Sequence, residues 1–154
     1  MTSWGKFAAE ASELARLGAE SFAAVGVAYL ATVRPDGAPR AHPVSPVLGS
    51  GHLFLFMEPT SPKGRDLRRN GRYAMHSPVD GPVPTVPEFY LTGTGRPVDG
   101  DPDLRAVAVQ AAGYPVQDRY HLFELDVEAV MCTIYSAEDP FNQPPVRRRW
   151  PAPS

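Results

Sequence analysis

The segment that most constrains the fold is Val27-Ala28-Tyr29-Leu30-Ala31-Thr32-Val33, followed at once by Arg34-Pro35-Asp36-Gly37. The first run is apolar on both alternating faces, the pattern of a strand covered on both sides. Pro35 sets φ for the second position of a turn, and Gly37 tolerates the positive φ that closes it. The chain therefore doubles back within four residues, which only an antiparallel pair permits. The returning run, 38–48, contains Pro39, Pro43 and Pro46. Proline cannot donate to a ladder, so this strand is irregular or lies at an edge.

Further strand signals follow. Gly49-Ser50-Gly51 is a turn, and His52 to Met57 is a strong strand. Ser61 is an N-cap, Pro62 suits the first helical position and Asn70-Gly71 stops that helix. Arg72 to His76 is a strand, and proline-rich 78–87 a loop. Glu88 to Val98 is a strand whose Gly93 and Gly95 mark bulges. Asp101-Pro102 opens a helix ended by Gly113. Leu122 to Val127 alternates as a strand with one wet face, and Met131 to Tyr135 continues the sheet. Phe7, Ala11, Leu14, Gly18 and Phe22 predict one amphipathic helix within an N-terminal helical region, 1–24. Residues 137–154, rich in Pro and Arg, read as a flexible tail. Six or seven strands, joined mostly by tight turns, with two or three helices predict a mainly-β barrel with helices outside.

A chain of 154 residues fits one domain, 1–154. Its formal net charge of −2 provides no field that would draw it to nucleic acid or an anionic membrane. The lone Cys132 excludes an internal disulfide framework and a thiol-rich zinc site, and reads as a buried, inert thiol. No apolar run approaches membrane-spanning length, and no secretory signal is evident, so the expectation is a cytoplasmic protein. The four histidines show no metal-ligand spacing. Thr92-Gly93-Thr94-Gly95-Arg96 lies inside a strand and lacks the strand–loop–helix context of a phosphate loop.

Two clusters could carry chemistry. Lys63, Arg65, Arg68, Arg69 and Arg72 lie along one short helix whose N-terminus offers free N–H groups and a partial positive charge. Ser61 adds a hydroxyl there, so a phosphate dianion fits, as does a plain solvated basic face. The second cluster is Arg40-Ala41-His42-Pro43-Val44-Ser45-Pro46, where Arg40, His42 and Val44 share one strand face. No Ser-His-Asp order or paired carboxylates stand out.

The order of these features resembles the pyridoxamine 5′-phosphate oxidase-like family of flavin-binding split barrels. The resemblance covers about residues 25–135 and is most specific over 29–76, from the Ala31-Thr32-Val33-Arg34-Pro35-Asp36-Gly37 hairpin to Ser61-Pro62-Lys63-Gly64-Arg65-Asp66-Leu67-Arg68-Arg69-Asn70. It implies a six-stranded antiparallel split β-barrel that works as a homodimer, with FMN at the subunit interface and a small-molecule substrate. By position, Arg40 would reach the phosphate, Ser45 would lie near the flavin ring, and His42, Pro43 and Val44 would also belong to the cofactor site. Phe56 and Met57 would border the ring, and Ser61, Lys63 and Gly64 would form the phosphate-binding turn.

Two departures bear on activity. The arginine–x–histidine substrate motif of true pyridoxamine phosphate oxidases is replaced by Arg147-Arg148-Arg149-Trp150, so the resemblance does not imply vitamin B6 oxidation. Ser45 stands where some members place a lysine near the flavin. The leading expectation is a flavin-dependent oxidoreductase. The alternatives are a reductase using the deazaflavin coenzyme F-420, a non-catalytic flavin-binding module, and haem handling through His76 or His121. Tyr29, Phe54, Phe89, Tyr90, Phe123 and Trp150 offer more aromatic surface than a small core needs, a hint of a subunit interface.

Overall fold

The structure, a computed structural model, describes residues 2–154. Its elements are α1 (Trp4–Glu10), α2 (Ser12–Ala23), β1 (Ala28–Val33), β2 (Pro39–Val44), β3 (Val47–Gly49), β4 (His52–Met57), α3 (Pro62–Arg69), β5 (Arg72–His76), β6 (Glu88–Pro97), α4 (Pro102–Ala111), β7 (His121–Ile134) and β8 (Val146–Trp150). All strands join one sheet in the order β2-β1-β5-β6-β7-β4-β3, with β8 paired to β7 off that path. Every pairing is antiparallel.

The two edges of this order, β2 and β3, are separated in sequence only by Ser45 and Pro46. Three peptide steps span at most roughly 11 Å. The sheet must therefore curl until its edges nearly meet, which makes a barrel split between β2 and β3. The prolines explain the split: Pro43 and Pro46 cannot donate across it. The expectation of an edge strand over 38–48 holds, and the chain uses both edges.

Inside the curl, Leu30, Leu55, Met75, Leu91, Phe123 and Leu125 are fully buried. The N-terminal region forms two helices rather than one. Ala11 breaks the helix with φ −141 and ψ 60, so Trp4 and Phe7 of α1 and Phe22 of α2 can all pack near the curved sheet around Phe89. A Cβ on Gly18 would lie 2.5 Å from the Phe89 ring. Thr2, ahead of α1, pairs with Val127; Met1 lies outside the described residues.

Four expectations change. β1 is covered on its inner side only, and Tyr29 on its outer side is 52% exposed. The face of β7 expected to be wet is buried. Glu124 is 3% exposed because Arg96 Nη2 and His52 Nδ1 each lie 2.6 Å from its carboxylate oxygens. Residues 146–150 are strand β8 on β7, and Trp150 packs on Phe7 with ring centroids 5.0 Å apart. Phe54, Phe89 and Phe123 are fully buried within one chain and present no interface. The bulge expected in β6 is present as a register shift at Thr92/Gly93, where a Cβ on Gly93 would lie 1.9 Å from Asp126 O.

Strand register aligns a row across six strands on the outer face: Pro43, Tyr29, His76, Tyr90, Met131 and Arg149. Beside it runs a row of small residues, Ala41, Ala31, Ala74, Thr92 and Ala129. Most of these side chains are small or apolar, and Tyr29 and Ala41 among them are exposed. Among the described residues no helix is long and apolar enough to cross a membrane.

Candidate functional site

Where the chain crosses the split, a cavity of about 280 Å³ opens. Three segments line it. Pro43, Val44 and Ser45 come from the end of β2 and the crossing. Phe56, Met57, Glu58, Ser61 and Lys63 come from the end of β4 and the start of α3. Tyr114 and Tyr120 come from the loop between α4 and β7.

Each side chain is placed by local chemistry. Ser61 caps α3, its Oγ accepting the Gly64 N–H at 3.5 Å. That bond is long, and the hydroxyl proton remains free to donate. Pro62 occupies the first turn, where its missing N–H costs nothing. Lys63 forms no ion pair with a carboxylate among the described residues, and burial pulls its pKa below that of an ordinary lysine. A cation, a hydroxyl and a helix N-terminus thus meet at one end of the cavity. Pro43, Val44, Phe56, Tyr114 and Tyr120 give the rest an apolar, largely aromatic wall.

Of the ten residues expected at the site, the structure brings seven together: Pro43, Val44, Ser45, Phe56, Met57, Ser61 and Lys63. Arg40, His42 and Gly64 do not line the cavity. Arg40 is held by α3 instead, with Nε 2.7 Å from Asp66 Oδ2. Asp66 is 1% exposed and also accepts from Thr32 Oγ1 at 2.8 Å and Arg69 Nη2 at 3.1 Å. Burial alone would raise its pKa, but the bonds from Arg40, Thr32 and Arg69 outweigh it and hold the carboxyl below the usual range. Gly64 spends its N–H on the Ser61 cap and packs beneath Met57 and Phe123.

The basic cluster divides. Arg68 pairs with Asp99 and lies over the Phe123 ring at 5.2 Å, and Arg69 donates to Val33 O and Asp66. These two hold the fold together. Cys132 is buried, and burial pushes its thiol pKa up.

Sequence reasoning missed Glu58, Tyr114 and Tyr120. Arg119 grips Glu58 with two bonds, 3.0 and 2.6 Å, so the α4–β7 loop is latched to the β4–α3 loop across the cavity rim. Burial, with Tyr120 nearby, raises the Tyr114 pKa, so this phenol stays a hydrogen-bond donor at neutral pH. The signal for these residues was only two tyrosines in a loop with Gly113 and Pro115. No histidine lines the cavity.

The family model for pyridoxamine 5′-phosphate oxidase matches residues 19–132, which contain every segment of the cavity. The chain belongs to the pyridoxamine 5′-phosphate oxidase family. No curated protein matches it. Solved structures share the fold of this family member. A heme binding protein from Mycobacterium smegmatis is 22% identical with a TM-score of 0.60, over 84% of this chain and 55% of that one. The family member thus spans little more than half the length of that protein. A nimc/nima family protein from Clostridium acetobutylicum is 21% identical with a TM-score of 0.63, over 87% of this chain and 90% of that one. PhzG from Burkholderia lata 383, solved with tetrahydrophenazine-1-carboxylic acid, is 16% identical with a TM-score of 0.61, over 90% of this chain and 84% of that one. At these identities the likeness carries the fold alone.

Proposed function

We propose that this family member binds FMN as a homodimer and serves as a flavin-dependent oxidoreductase of a small molecule. The observation that carries this reading is the unpaired, partly desolvated Lys63 beside the Ser61 hydroxyl at the N-terminus of α3, facing an aromatic wall in one cavity. A lysine without a carboxylate partner is available to bond an anion from outside the chain. The wall of Phe56, Tyr114 and Tyr120 suits a planar ring.

The cavity of about 280 Å³ is smaller than a pocket of roughly 300–1,000 Å³ that encloses a cofactor-sized ligand. Pro43 is both a cavity wall and the first residue of the exposed row that crosses six strands. A second copy laid on that face would close the open side, and this supports placing FMN at the subunit interface. A bound flavin supplies the hydride chemistry. The chain's own part is to anchor the phosphate through Lys63 and Ser61, orient the ring against Phe56, and exclude water through the wall of the α4–β7 loop.

The test is quenching of FMN fluorescence by the purified protein, with the deazaflavin coenzyme and haem titrated in parallel. Saturable FMN quenching with weaker binding of the other two is expected. Preference for the deazaflavin or for haem would replace FMN in the same cavity, and binding of none would overturn the reading. If FMN binds, reduction of the bound flavin by NADPH or NADH and its reoxidation by an added acceptor test the oxidoreductase role. A flavin inert to every donor would leave a binding module.

A further inference from the structure

Arg105, on α4, does not line the cavity, yet it holds the loop that does. Its Nη1 donates to Tyr120 O at 2.8 Å, and its Nη2 lies 3.2 Å from Gln117 O and 3.1 Å from Asp118 O. One guanidinium thus gathers three carbonyls from the last four residues of the loop. Its Cζ also lies over the ring of Phe56, 5.6 Å from the centroid. Phe56, Tyr114 and Tyr120 are the three aromatic walls of the cavity, and Arg105 touches the first directly and the last through its backbone.

We infer that Arg105 is a positioning residue for the ring of the bound ligand: it fixes Phe56 and Tyr120 of the aromatic wall, while Lys63 and Ser61 hold the anion. The inference rests on the flavin-binding reading and adds a division of labour within that site. Only the arginine fork fits. Lysine presents a point charge that cannot span three carbonyls, and the flat guanidinium stacks on an aromatic face. Fixing the wall before the ligand arrives removes the cost of ordering the loop on binding.

The test compares two ligands that differ only in the anion. Riboflavin carries the ring without the phosphate, and FMN carries both. Arg105→Met keeps the length of the stem and loses the fork; Arg105→Lys keeps one charged donor. For folded protein, checked by thermal melting, Arg105→Met is expected to weaken riboflavin and FMN by the same factor, roughly tenfold. Arg105→Lys should fall between wild type and Arg105→Met. Amide exchange over residues 117–120 should quicken in the order wild type, Lys, Met, because the carbonyls that hold the loop are released. A purely structural role would lower the melting temperature and leave the affinity of the folded protein unchanged, which overturns the inference. Loss of FMN binding with riboflavin unaffected also overturns it, because the loop would then serve the anion. If wild-type protein binds neither ligand, the flavin reading itself fails and the inference falls with it.

Discussion

The guanidinium of Arg40, on strand β2, lies 2.7 Å from the carboxylate of Asp66, which is buried on helix α3. This pair ties the edge strand at the split to the helix whose N-terminus forms the electropositive end of the cavity. Thr32 on β1 and Arg69 complete the shell around Asp66. Removing the carboxylate leaves two arginines facing each other with nothing between them.

Asp66→Asn is expected to cost roughly 3 kcal/mol of stability at pH 7. The pKa of Asp66 is lower in the folded chain than in the unfolded one. Its stabilising effect is therefore complete above the unfolded value, about 4, and is lost as pH falls through the folded value. Urea denaturation of wild type and variant should show the widest gap at pH 7 and a narrowing gap toward pH 2. A gap independent of pH would mean that the pair contributes packing only.

Gly93→Ala is expected to destabilise by about 3 kcal/mol or more, because its Cβ would lie 1.9 Å from a backbone oxygen. Backbone cannot swing aside as a side chain can. A thermal melt close to wild type would show that the bulge relaxes.

The hairpin at 34–37, the cap at Ser61 and the edge strand with three prolines were legible because each rests on local backbone chemistry. Gly37 takes a φ of +85, as a turn glycine should. The break at Ala11 was not legible, since alanine is the best helix former and nothing local in the sequence marks a stop there. The burial of Glu124 was hidden for a similar reason: its partners, His52 and Arg96, are 72 and 28 residues away in sequence. Tyr114 and Tyr120 escaped notice because a loop has no periodicity to reveal which way its side chains turn. Strand β8 escaped because its three arginines and the prolines on either side of it suggest a tail, whereas pairing with β7 depends only on backbone groups.

Ala31 lies near the centre of the small-residue row on the outer face. Wild type is expected to sediment as a dimer, at twice the chain mass of 16.7 kDa. Ala31→Arg places a charge within the proposed subunit contact and should give monomers with weakened FMN binding. A wild-type monomer that binds FMN would place the whole site within one chain.

The central claim is that Lys63 holds a ligand's phosphate at the start of α3. The most direct measurement is the affinity of wild type and Lys63→Ala for FMN and for riboflavin, by fluorescence quenching. Losing one hydrogen bond to a charged group costs about 1.5–3 kcal/mol, so FMN should weaken by roughly 10- to 150-fold in Lys63→Ala while riboflavin is unchanged. Equal FMN affinity in both proteins would contradict the account, as would an equal loss for both ligands.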